Sequence, residues 1–167
     1  MIPTEYMVEA LKIAREGMEQ GELPIGSVLV LDDKIITSAH TAEKSVGGLL
    51  VHAELRTLLK ADQLKPFPGK RRDAILFTTL EPCLMCLGAA MSFLVGKIYY
   101  ALESPADGSV QLIQNWQRDQ EALPAYQVPE IHGGLLRQES KALFEEYVKQ
   151  HGTGMPLEWA KTLVALP

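Results

Sequence analysis

Cysteine is almost absent from this chain: two residues in 167, Cys83 and Cys86. Both belong to one short motif, so none is left for another disulfide, and an intracellular, cytoplasmic location is the expectation. Long apolar runs are missing too. No stretch reaches the ~20 residues a spanning helix needs, so no membrane partner is expected. The opening Met1-Ile2-Pro3-Thr4-Glu5 has neither the basic nor the apolar region of a signal peptide. Basic charge is scarce, with 16 Lys and Arg against 21 Asp and Glu, a net charge of −5 and a pI of about 5.4. An extended nucleic-acid footprint shows as a basic face. The charge therefore disfavours tRNA as a partner without excluding a local contact. The one basic cluster, Lys60, Lys65, Lys70, Arg71 and Arg72, reads as a solvated loop or as a phosphate-contacting rim. Internal repeats and low-complexity tracts are absent.

What is present is a core-forming composition, 47% hydrophobic, sufficient for a single domain over 1–167. The chemistry is concentrated in Thr79-Leu80-Glu81-Pro82-Cys83-Leu84-Met85-Cys86 and in His52-Ala53-Glu54 upstream. Residues three apart share a helix face, so Cys83 and Cys86 reach one ion if a helix begins near Pro82. Proline suits a first helical turn, and a helix N-terminus favours the thiolate that binds metal. Two sulfurs and an imidazole suit zinc, and three protein ligands leave a fourth position for water. His52, Cys83 and Cys86 are therefore read as an open, catalytic zinc site. Glu54 lies two residues from His52, so the two do not share a ligand direction. At a helix end facing a cavity, Glu54 instead moves protons between water and substrate, a role worth about 10²–10⁴ in rate. Zinc lowers the pKa of water from about 15.7 to about 7.

Together the two motifs resemble the cytidine and nucleobase deaminase superfamily, whose H-x-E…P-C-x-x-C signature is already known. The resemblance covers about residues 5–148. Thr79 to Cys86 and Glu22 to Val30 are most similar to the branch of tRNA adenosine deaminases and guanine deaminases. It implies a cytidine deaminase-like fold, zinc as cofactor, and a homodimer whose subunits complete each other's pockets. It also implies that Gly26 borders the pocket and that the Ala53 N–H contacts a base carbonyl or ring nitrogen. Relatives carry an asparagine early in the loop at 40–50 that reads the base. Here the nearby residues are His40 and Thr41, and His40 is the candidate donor to a substrate nitrogen or oxygen.

Periodicity and turn signals predict an α/β fold, a three-layer α/β/α sandwich around a mixed five-stranded sheet. A helix over 4–20 is expected, capped by Thr4 and stopped by Gly21. A hairpin follows, with strands at 26–31 and 35–38. A loop at 40–50 leads to a helix over 52–61, a central strand over 74–79, a helix over 83–95 and a strand over 97–102. The strand–helix–strand crossovers imply parallel pairing in this half. A helix over 110–120 should turn Leu112, Ile113 and Trp116 inward. A loop or edge strand at 123–133 precedes a helix over 135–150. After a break at 152–154, a last helix over 155–166 either packs on its own domain or serves as a lid or dimer contact.

The functional expectation is a zinc-dependent hydrolytic deaminase that releases ammonia from a small nucleobase or nucleoside. Deamination of adenosine in tRNA is the alternative within the class. A zinc-stabilised module without turnover lacks a fourth protein ligand, and a thiol–disulfide pair leaves His52 and Glu54 without a role.

Overall fold

Alternation along the strands builds the three layers. In β1 (Gly26–Leu31) all six residues are buried. Leu29 and Leu31 join one apolar cluster, while Val28 and Val30 join another on the opposite face. Successive strand side chains point to opposite faces, so this one strand feeds two cores. In the computed structural model, which describes residues 2–117, 119, 121–150 and 153–167, the sheet order is β2-β1-β3-β4-β5. Here β2 is Lys34–His40, β3 Ile75–Leu80, β4 Lys97–Leu102 and β5 Glu130–His132. β1 pairs antiparallel with β2 and β3, whereas β3–β4 and β4–β5 are parallel. The mixed five-stranded sheet is as expected, with β3 at its centre.

One face carries α3 (Ala53–Asp62) and α4 (Leu84–Phe93). The other carries α1 (Pro3–Glu19), α6 (Arg137–Gln150) and α7 (Met155–Val164). Both parallel crossovers of the second half, β3–α4–β4 and the longer excursion to β5, run out from the carboxyl ends of their strands. No helix among the described residues is long and apolar enough to cross a membrane.

Several local expectations are corrected. Thr4 is not the cap of α1; Ile2 is, with its N–H donating to Glu5 Oε2 at 3.0 Å, because Pro3 already occupies the first turn. The loop at 40–50 contains a single helical turn, α2 (Glu43–Val46). Its signal is too short to show as a period. The helix expected over 110–120 is only α5, Val110–Gln114, and Leu112 is exposed rather than inward. Arg118 and Gln120 in that expected helix, and Gly152 in the expected break, lie outside the described residues. The last helix does pack on its own domain: Leu157, Ala160 and Leu163 are buried against Leu143, Phe144 and Tyr147 of α6.

Three members of the basic cluster bond within the chain, although Lys60, Lys65 and Lys70 are exposed. Arg71 pairs with Asp62 at 2.8 Å and sits over the rings of Phe67 and Phe93. Arg72 donates to the carbonyls of Val95 and Ala125, and Lys60 to the carbonyl of Ser38 at 2.7 Å.

The turn α2 is held by a buried carboxylate. Glu22, 2% exposed, accepts from the N–H of Lys44 at 3.0 Å and of Ser45 at 2.7 Å. Burial alone would raise its pKa. The hydrogen bonds from Ser45 and Lys44 outweigh that and hold it below the ordinary 4.5. Its contribution to stability is therefore complete above that value and lost as pH falls through the lower folded value. Glu22→Ala is expected to cost about 1–3 kcal/mol in urea unfolding at pH 7. In Glu22→Gln the acid-dependent part of that stability should vanish, and an unchanged pH profile would show that Glu22 does not anchor α2.

Candidate active site

Two helices begin side by side at the carboxyl end of β3. His52 is the N-cap of α3 and Cys83 the N-cap of α4, with Cys86 in the first turn of α4. Each helix thus starts one residue later than the spacing predicted, and Pro82 precedes the cap rather than opening the helix. Thr37 and Thr57 fasten α3 to the sheet, through Thr37 Oγ1 to the Thr57 carbonyl and Thr57 Oγ1 to the Ser27 carbonyl. The carboxylate of Glu81 accepts from the N–H groups of Ser104 and Val110, both at 3.0 Å, and so ties the β3–α4 turn to the segment after β4.

His52 Nδ1 lies 3.6 Å from Cys83 Sγ and 3.5 Å from Cys86 Sγ. A tetrahedral ion bound about 2.3 Å from sulfur and about 2.1 Å from nitrogen sets a sulfur–nitrogen edge of about 3.6 Å. Both sulfur–nitrogen distances therefore match a zinc ion, and the three ligand atoms lie within 4.8 Å of one another. The Cys83 thiol is held down at about 4, first by a hydrogen bond from the Cys86 thiol, then by the His52 imidazole. That hydrogen bond and burial push the Cys86 thiol up. The contact with Cys83 raises His52 to about 9. One thiolate is thus ready at the site.

The far nitrogen of the imidazole is also committed. His52 Nε2 lies 3.1 Å from Glu43 Oε1. A carboxylate there keeps a hydrogen on Nε2, so that Nδ1 is the nitrogen that would turn its lone pair to a metal ion in exchange for its proton. Because Glu43 belongs to α2, buried Glu22 holds the turn that orients the histidine. Sequence reasoning missed Glu43 entirely.

Glu54 is 4% exposed beneath the ligands. Thr78 Oγ1 donates to its Oε1 at 3.0 Å, and Cys86 Sγ is 3.6 Å from its Oε2. Burial raises its pKa, so the group can hold a proton close to the metal position. Thr78 was not foreseen. A polar residue directly after the apolar run Ile75-Leu76-Phe77, inside a buried strand, was the available signal.

His52, Ala53, Glu54 and Cys83 open into one cavity of about 400 Å³, within the range of small-molecule sites. Gly26 and His40, expected there, do not line it. They are cross-strand partners, and both face α1. A side-chain carbon on Gly26 would sit 2.3 Å from the Ala10 carbonyl oxygen, while His40 packs against Gly17. The Nδ1 of His40 is 2.5 Å from the Thr41 carbonyl. Their neighbours Ile25 and Thr41 line the cavity instead. His132 is far from this role: it stacks on Tyr99 and contacts Glu130.

Residues 2–102 match the family model described as the cytidine and deoxycytidylate deaminase zinc-binding region. The chain belongs to the cytidine and deoxycytidylate deaminase zinc-binding family. Among its relatives, the tRNA-specific adenosine deaminase of Bacillus subtilis is 31% identical over 147 residues, 87% of this chain and 88% of that protein. That of Agrobacterium fabrum is 29% identical over 150 residues, covering 88% and 94%. A solved structure from work on A-to-I editing by tRNA:A34 deaminases at the wobble position superposes with a TM-score of 0.70. It is 30% identical and covers 84% of this chain and 99% of that one. This deaminase is thus a zinc-dependent hydrolase that releases ammonia by breaking a C–N bond. His52, Cys83 and Cys86 are the residues that could hold its zinc.

Cys83→Ala and Cys86→Ala are each expected to lose zinc, measured by elemental analysis. Glu54→Ala should keep it in full. Glu43→Ala should weaken zinc by about 10- to 100-fold in chelator competition. Unchanged affinity there would separate Glu43 from the orientation of His52.

Proposed function

We propose that this deaminase acts on a free, uncharged nitrogen heterocycle, a nucleobase or nucleoside. The observation that carries the reading is the charge of the cavity. Glu43, Glu54, Glu81 and Asp107 line it, and no lysine or arginine is among its described lining residues. A phosphorylated substrate would meet carboxylates with no counter-charge. The internal pairing of Arg71 and Arg72 also weakens the case for a phosphate-binding rim at 60–72. That segment follows the C-terminus of α3, about 15 Å along the helix from His52 at 1.5 Å per residue.

In this reading His52, Cys83 and Cys86 hold the zinc, which acts as a Lewis acid and makes water a nucleophile near neutral pH. Glu54 is the proton carrier. It takes a proton as water oxygen adds to the amine-bearing ring carbon and delivers it to the adjacent ring nitrogen. It then shuttles a second proton from the added oxygen to the amine. The C–N bond breaks, ammonia leaves, and a carbonyl remains. Thr78 keeps Oε1 in place, leaving Oε2 for the transfer. The Ala53 N–H, in the first turn of α3, donates to the base, and Thr41 occupies the rim where His40 was expected.

Deamination of adenosine in tRNA is the second reading, favoured by the names of the relatives at about 30% identity. A homodimer fits either reading. Helix α4 carries no charged residue, Leu84 is 60% and Leu112 63% exposed, and a side-chain carbon on Gly88 would meet nothing within 4 Å. A helix with apolar residues all round is normally covered, here by a second copy of the chain. Sedimentation should give a dimer that Leu112→Lys weakens; a monomer at micromolar concentration would remove this proposal.

Ammonia release from the zinc-loaded protein, with Glu54→Ala as control, decides between the readings. The panel is cytosine, cytidine, adenine, adenosine, guanine, a pterin and total tRNA. The expected result is Glu54-dependent turnover of a free base or nucleoside with little salt dependence. Turnover of tRNA alone, with affinity falling steeply in salt, would establish the second reading instead.

A further inference from the structure

The zinc ligands and Glu54 occupy one side of the cavity. Another part of its lining comes from a segment that carries none of the catalytic chemistry, the first turn of α7. Met155, Pro156 and Trp159 line the same cavity as His52, Glu54 and Cys83. We infer that this turn is the selectivity wall of the site, where Trp159 stacks on an uncharged heterocycle and the bulk of the turn keeps out a nucleotide held in an RNA strand. The inference rests on the small-substrate reading above and deepens it.

Three observations support it. First, the wall is fixed. Leu157, Ala160 and Leu163 are buried in the cluster that holds Phe144 and Tyr147, so the roll of α7 about its axis is set. Trp159 meets Phe144 edge-on, with ring centres 6.0 Å apart at 84°. With the buried stripe at 157, 160 and 163, positions 155 and 159 fall on the adjoining face, and both line the cavity. Second, the chemistry of that face suits a planar, neutral ring. An indole offers a broad apolar surface and stacks on any base without reading its edge. Third, among the described residues the lining offers no lysine or arginine to hold a phosphate. Leu49 and Met155, 82% and 84% exposed, are apolar, and Asp107 is acidic. An RNA strand entering past α7 would bring its flanking phosphates against these groups.

Trp116 and Trp159 are the two tryptophans of the chain. In a Trp116→Phe protein Trp159 is therefore the sole indole reporter. Titrating that zinc-loaded protein with the base or nucleoside that the wild type deaminates should quench its emission. In steady-state kinetics Trp159→Ala should raise KM about tenfold with kcat little changed, and Trp159→Phe should restore most of the loss. Zinc content should stay stoichiometric in all three. Trp159→Leu, which keeps apolar bulk against Phe144 but offers no stacking face, carries the same expectation should Trp159→Ala fail to fold. Unchanged KM in the zinc-loaded Ala or Leu variant, or no quenching by a deaminated substrate, would overturn the role of α7 while leaving the small-substrate reading intact. A wild type that turns over tRNA alone would overturn both.

Discussion

The site depends on two helices starting at the same place. α3 and α4 both begin at the carboxyl end of β3, and their cap residues, His52 and Cys83, lie within 3.6 Å. A helix N-terminus carries about half a positive charge, which favours thiolate there and so prepares the site for a cation. Bringing two such positive ends together costs repulsion. The sulfurs, the buried carboxyl of Glu54 and Thr78 beneath it supply the opposing polarity.

That convergence is braced from outside the motif. Glu22, on the segment after α1, accepts from the first turn of α2; Glu43 of that turn meets the imidazole of His52. A buried carboxylate thirty residues upstream thereby reaches the metal position through one helical turn and one hydrogen bond. The arrangement is economical because each buried acid finds a donor. An unpaired carboxylate at Glu22, which is 2% exposed, would cost several kcal/mol and would neutralise instead.

The cavity divides its labour between two layers of the sandwich. In the proposed reading the proton-transfer and metal-holding groups come from the α3–α4 face and β3, whereas Met155, Pro156 and Trp159 of α7, on the opposite face, supply an apolar part of the lining. Chemistry and selectivity can then vary independently.

The sequence alone determined what depends on short spacing. His52-Ala53-Glu54 and Cys83-Leu84-Met85-Cys86 declared a metal and a carboxyl group, because helical neighbours three apart share a face. The hairpin through Asp32 and Asp33, the central strand and the parallel crossovers were legible for the same local reason. Only the tertiary structure decided what lines the cavity. Gly26 and His40 missed it by one residue each, since in extended chain successive side chains point to opposite faces. Ile25 and Thr41, their neighbours, took those places. Trp159 reached the cavity from a distant stretch of chain, and Glu43 reached His52 from a separate helical turn nine residues before it. No periodicity within one segment encodes such an approach, because strand register and helix docking fix it only when the whole sandwich is assembled.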